Sequence, residues 1–84
     1  AKPGWVYLMA SAPRGTLYLG VTSNLPNRVQ QHRTGYFEGF TSRHDVTRIV
    51  WNEHYSDIAD AIRREKAMKF WKRDWKIRLI EEHN

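Results

Sequence analysis

The sequence predicts an α/β fold with elements in the order ββαβαα. Three observations predict it. Two short runs rich in aromatic and β-forming residues, Trp5-Val6-Tyr7-Leu8-Met9 and Thr16-Leu17-Tyr18-Leu19-Gly20-Val21, are joined by a stretch holding Pro13 and Gly15. A third run of the same character begins at Val46. Elsewhere, apolar residues recur at helical rather than alternating spacing.

The first two runs form a β-hairpin, because strand-like segments separated by a Pro/Gly loop turn back on each other. If Met9 faces Thr16, then Tyr7 faces Tyr18 and Trp5 faces Gly20. Period-two alternation then sets the two tyrosines on one sheet face as cross-strand neighbours. Thr22-Ser23-Asn24 offers capping side chains and Pro26 suits an early helical turn. A helix is therefore expected over residues 25–33, with Gly35 as its stop. Leu25 and Val29 make its apolar stripe, and Arg28 and His32, four apart, share the face beside it. Residues 36–43, with Gly39 and several polar groups, are expected as a loop.

Residues 46–51 give the third strand, continuing towards Tyr55. Ser56-Asp57 caps the next helix, and Asp60 adds negative charge to its first turn. Ile58, Ala61, Ile62 and Met68 lie on one stripe of that helix. Glu65 falls inside the stripe, a carboxylate where the pattern asks for an apolar group; such violations belong to structural ion pairs or to functional groups. A last helix is expected from about residue 74, with Ile77, Leu79 and Ile80 as its apolar members.

A chain of 84 residues buries only about 60–65% of the surface its unfolded form exposes. One domain over residues 1–84 is expected, and a separate cofactor domain is excluded. With no cysteine, the four Trp, four Tyr and three Phe must supply much of the core. No apolar run approaches the roughly 18 residues of a membrane span, and no signal peptide opens the chain. A soluble, cytoplasmic protein is the expectation. The net charge of +5 is unevenly spread. Residues 61–78 carry Arg63, Arg64, Lys66, Lys69, Lys72, Arg73, Lys76 and Arg78 against Glu65 and Asp74, a net +6, whereas the rest of the chain carries −1. A basic stretch of this density is either a solvated helix face or a surface for a polyanion, with nucleic acid ahead of membrane.

The chain holds no Gly-rich phosphate loop, no Gly-x-Ser-x-Gly elbow and no His-Glu-x-x-His pair. His32, His44, His54 and His83 are too scattered for a zinc site. What is left is a constellation of Tyr7, Tyr18, Arg28, His32 and Glu65, on faces able to meet at one end of the sheet.

The order and spacing of these residues resemble the GIY-YIG nuclease superfamily. Trp5-Val6-Tyr7 and Tyr18-Leu19-Gly20 are similar to its paired motifs, with Trp5 standing where the first motif has glycine. The likeness continues through Gly20-Val21-Thr22-Ser23-Asn24-Leu25, Arg28 and His32, and through Ala61-Ile62-Arg63-Arg64-Glu65-Lys66, where the family's metal-binding glutamate falls on Glu65. The ending through Asn84 resembles that of small single-domain members, which are related to the N-terminal incision domain of the bacterial excision-repair nuclease. The resemblance implies a small three-stranded antiparallel sheet flanked by helices.

It also implies an endonuclease that hydrolyses DNA with one divalent metal, Mg²⁺ or Mn²⁺, in repair, recombination or related processing. Glu65 would hold the metal, Arg28 would contact the phosphate, and a tyrosine would take the proton from the attacking water. Tyr7 is favoured as that base with His32 assisting and Tyr18 positioning, although the residues equally allow the exchanged roles. Asn84 would orient a neighbour. Arg28, Arg63, Lys66, Lys69, Lys72, Arg73 and Lys76 are the expected nucleic-acid contacts. Flaps, branches, nicked duplex, single strands and RNA are all open as substrates. The competing expectation is a nucleic-acid-binding module on the same scaffold without cleavage.

Overall fold

The computed structural model of the chain describes residues 2–11, 15–33 and 48–83, for residues 32, 33 and 83 by their backbone alone. Within them lie β1 (Gly4–Ala10), β2 (Leu17–Thr22), α1 (Leu25–Arg33), β3 (Arg48–Tyr55), α2 (Ile58–Met68) and α3 (Arg73–His83). This is the predicted order. The strands form one antiparallel sheet in the order β2-β1-β3. The expected stop at Gly35, the loop at 36–43, the first residues of the third strand at 46–47 and the terminal Asn84 lie outside the described residues.

The hairpin register differs from the expected one by two residues. Met9 faces Tyr18, Tyr7 faces Gly20 and Trp5 faces Thr22. The turn is centred one residue later than supposed, because Ser11 and Thr16 close it: the Ser11 N–H donates to the Thr16 carbonyl at 3.1 Å, and the Thr16 N–H donates to Ser11 Oγ at 3.0 Å. A shift of two keeps every side chain on its face, so Tyr7 and Tyr18 remain together, now as diagonal neighbours. Gly20 makes this register possible. A Cβ there would stand 2.5 Å from both Cζ and Oη of Tyr7, so the phenol ring occupies the space that any other residue would fill.

On its other side β1 pairs with β3 through a bulge at Val50, between the Leu8–Trp51 and Met9–Ile49 pairs. The extra residue lets Val50 and Trp51 both serve the same core. That core lies on one sheet face and contains Val6, Leu8, Trp51, Ala61 and Met68, with Trp71, Leu79 and Ile80 packed against it. Tyr7 and Met9 point to the opposite face, where Leu25 and Val29 of α1 cover them together with Tyr18 and Ile49. Helices thus lie on both faces, with β1 buried between them. Two expectations about the core need correction. Ile62 is 38% exposed, because Ala61 and Met68 aim at the sheet and Ile62 sits further round the helix at its rim. The tryptophans do not all fill the core: Trp51 is buried, whereas Trp75 is 53% exposed.

Caps and a polar network set the helices. Asn24 caps α1, accepting from the Asn27 N–H at 3.2 Å, and Asp57 caps α2, accepting from the Ala59 N–H at 3.0 Å. The Ile58 N–H donates to the Lys2 carbonyl at 2.7 Å, which fixes the start of α2 beside the first strand. On α2, Arg64 reaches Glu53 of β3 at 3.7 Å and lies 5.0 Å over the Trp71 ring. Tyr55 donates to the same Glu53 carboxylate. Burial, then this hydrogen bond, pushes the Tyr55 phenol up to about 12, so the network keeps its proton through neutral pH. Because successive helical residues are about 100° apart, anchoring Arg64 towards β3 turns Glu65 towards β2.

The Tyr7–Gly20 contact generates a stability prediction. Gly20→Ala should lower the unfolding free energy by about 1–3 kcal/mol through overpacking. Combined with Tyr7→Ala it should cost far less than the two changes summed. Urea denaturation of the four proteins measures both; additive losses would show that the two residues do not share this space.

Candidate active site at the edge of the sheet

β2 is an edge strand, and its free side is where the two helix-covered faces meet. An open groove of about 440 Å³ runs along it, lined by Tyr18, Leu19, Gly20 and Val21 of β2, Glu65 and Lys69 of α2, and Lys76 of α3. Tyr18 and Glu65, which belong to opposite sides of the sheet, therefore share one concavity. α2 carries two described ion pairs, Arg63 with Asp60 and Arg64 with Glu53. Glu65 belongs to neither and stays half-buried in the groove.

Tyr7 lies behind this groove rather than in it. The sequence places Tyr7 with Tyr18, Arg28, His32 and Glu65 on faces able to meet at one end of the sheet, but Tyr7 is 1% exposed because its strand is central and α1 covers it. Its ring centroid is 6.2 Å from that of Tyr18, tilted by 42°. Burial drives the Tyr7 phenol well above its ordinary range. The charge of a Tyr18 phenolate and a hydrogen bond to Tyr18 push in the same direction, and Arg28 of α1 opposes them. The proton is thus held on Tyr7, and the guanidinium of half-buried Arg28 acts on the tyrosine pair from the α1 side. Arg28 is not among the residues lining the groove. His32 follows one turn later in α1.

The basic residues divide. Lys69 and Lys76 line the groove, whereas Arg63, Lys66 and Lys72 stand exposed on α2 or the turn after it. Arg73 donates to the Gly15 carbonyl and so ties α3 to the hairpin loop, a structural duty that its place in the charge run did not suggest. Trp5, in the position of the motif glycine, packs its ring 4.8 Å from that of His54. Sequence reasoning missed the clearance at Gly20; the signal was present in the small residue opposite a tyrosine, but the assumed register placed it opposite Trp5.

Residues 3–78 match the GIY-YIG catalytic domain. The chain belongs to the GIY-YIG family. UPF0213 proteins of Staphylococcus haemolyticus and Staphylococcus aureus are each 31% identical to it over 78 residues, covering 93% of this chain and 94% of theirs. The solution NMR structure of the UPF0213 protein BH0048 from Bacillus halodurans superposes with a TM-score of 0.57 at 24% identity, over 94% of this chain and 83% of that one. That likeness shows the same α/β fold, and the family places the chain in a nuclease superfamily. In this GIY-YIG domain the glycine of the second motif is Gly20, and its duty is to admit the tyrosine of the first.

Among the described residues no three His, Cys, Asp or Glu side chains gather as a metal site, and none of the described helices is long and apolar enough to cross a membrane. One half-buried carboxylate in an open groove nevertheless fits a hard cation such as Mg²⁺, which keeps several waters and takes one or two carboxylates along with substrate phosphate.

The Tyr7 environment is testable by titration. The difference in phenolate absorbance between the wild-type chain and Tyr7→Phe should show one tyrosine ionising well above the usual value of about 10. A raised acid pKa means that the folded state holds the proton more tightly. Its contribution to stability is complete below about pH 10 and is lost as pH rises through the folded value. A Tyr7 that ionises below about 10 in the metal-free protein would contradict the buried, proton-holding arrangement.

Proposed function

We propose that this GIY-YIG domain is a divalent-metal-dependent endonuclease that hydrolyses DNA phosphodiester bonds in the groove along β2. The observation that carries the reading is the meeting of Tyr18 and Glu65 in one open concavity flanked by Lys69 and Lys76. Openness suits a polymeric substrate, whose backbone must lie across the site rather than enter a cavity.

Glu65 is the residue that would hold Mg²⁺ or Mn²⁺. Such an ion, when bound, supplies Lewis-acid neutralisation of the charge on the phosphate. Tyr18, half-buried and facing the groove, takes the proton from the attacking water as its oxygen bonds to phosphorus and the bond to the leaving oxygen breaks. Tyr18 does this as the phenolate and becomes a neutral phenol; before the transfer, that phenolate accepts a hydrogen bond from the hydroxyl of Tyr7, whose retained proton makes it a donor. The sequence favoured Tyr7 as base and Tyr18 as positioning group. The burial of Tyr7 and the direction of its shift support the exchanged roles. Arg28, behind the pair, favours the same negative charge, with His32 on the same helix as the assisting imidazole and Asn84 as an orienting amide. Lys69 and Lys76 hold the phosphate backbone, and Arg63, Lys66 and Lys72 extend that surface. Repair or recombination is the setting this chemistry fits.

Two measurements test the proposal. Glu65→Gln should abolish cleavage of labelled linear and branched DNA with Mg²⁺ or Mn²⁺ while keeping DNA affinity. Cleavage by that variant at saturating metal would remove the metal role, and DNA retarded but left intact by the wild-type chain would make this a binding module instead. Changing Lys69 and Lys76 to Gln should reduce the slope of log affinity against log salt by about one unit per lysine. An unchanged slope would return both lysines to a solvated face.

A further inference from the structure

The turn joining α2 to α3, together with the first turn of α3, exposes large aromatic rings among its charges. Phe70 is 87% exposed and Trp75 53% exposed, an outlay of apolar surface that no packing within the described chain explains. Trp75 meets Trp71 edge-on, with centroids 6.0 Å apart. Together with Arg78, Leu79 and Glu82 they line a second groove of about 230 Å³. Trp71 is itself braced by Arg64, whose guanidinium lies 5.0 Å over its ring. Basic residues alternate with the rings: Lys69 precedes Phe70, Lys72, Arg73 and the acidic Asp74 separate Trp71 from Trp75, and Lys76 follows. Lys69 and Lys76 also line the groove of Glu65 and Tyr18. The same turn therefore borders both concavities, with cationic groups towards one and aromatic faces towards the other.

We infer that this aromatic turn binds unpaired nucleotides of a nucleic-acid strand whose backbone lies on Lys69 and Lys76. The inference rests on the nucleic-acid reading above and names its substrate class: nucleic acid with a single-stranded segment next to the scissile phosphate. Stacking on aromatic faces and a cationic track for the backbone are the two requirements of single-strand binding. In a paired duplex the faces of the bases are hidden against each other, so Phe70 and Trp75 gain a partner only where bases are unstacked. The rim charges Arg78 and Glu82 offer a donor and an acceptor to base edges.

The test is binding without metal, in a Glu65→Gln background, so its outcome does not depend on cleavage. A short oligothymidylate should quench tryptophan emission. Phe70→Ala and Trp75→Ala should each weaken its binding on the order of tenfold, while leaving the affinity for duplex DNA of equal length unchanged and the circular dichroism intact. Trp75→Phe, which keeps a ring, should recover most of the affinity. An oligomer with abasic positions should bind the wild-type turn as weakly as the Ala variants bind the normal strand, and should not distinguish between them. Several results would overturn the inference: single-strand affinity untouched by both Ala variants, an equal loss for duplex, or indifference to the missing bases. So would a dimer in sedimentation that requires Phe70 and Trp75, or binding of anionic lipid vesicles with no affinity for the oligomer. Cleavage failing while these binding results hold would remove the nuclease reading and leave the single-strand site standing.

Discussion

β1 has a strand on each side and helices over both faces, and from Val6 to Ala10 every residue is buried. Tyr7 must therefore place a phenol in the interior and still satisfy its hydroxyl. The gap at Gly20 solves the first problem by giving the ring the space of a missing side chain. Tyr18 solves the second, lying one diagonal away on the same face. This contact fixes the register of the hairpin, and Leu25 and Val29 of α1 pack over the same tyrosines. Much of what surrounds the groove follows from that choice.

The groove belongs to the edge of the sheet for a physical reason. A carboxylate and a tyrosine on opposite faces of a central strand would be separated by the sheet itself. At the edge strand, side chains from both faces can reach round to the same solvent-facing space. α2 is turned so that Arg64 is spent on Glu53 and Trp71, leaving Glu65 for the β2 side. A structural ion pair thus sets the orientation of the carboxylate next to it in the chain. Arg73 has a comparable duty, holding α3 against the hairpin loop while Lys76 of the same helix faces the groove.

The two tyrosines illustrate how one residue type serves two purposes through environment. Tyr7 is desolvated and keeps its proton, whereas Tyr18 borders water. A donor held in the interior beside an acceptor at the surface is an arrangement that stabilises negative charge on the outer oxygen without the surroundings having to reorganise.

By itself the sequence determined the strands and helices, their order and their caps. It did so because these depend on local patterns: alternation in the β runs, Asn24 and Asp57 before helical spacing, Gly and Pro between elements. It also placed Tyr7 and Tyr18 on one face, since parity survives a register error of two residues, and it singled out Glu65 as a carboxylate inside an apolar stripe. Only the tertiary structure decided that Tyr7 is sealed behind Tyr18, that Arg28 acts from the α1 side, that Arg73 is structural and that Ile62, Phe70 and Trp75 face outward. Those outcomes depend on loop length, on the rotation of each helix about its axis and on which strand lies at the edge. Each is set by contacts between residues far apart in the chain, and no local pattern contains them.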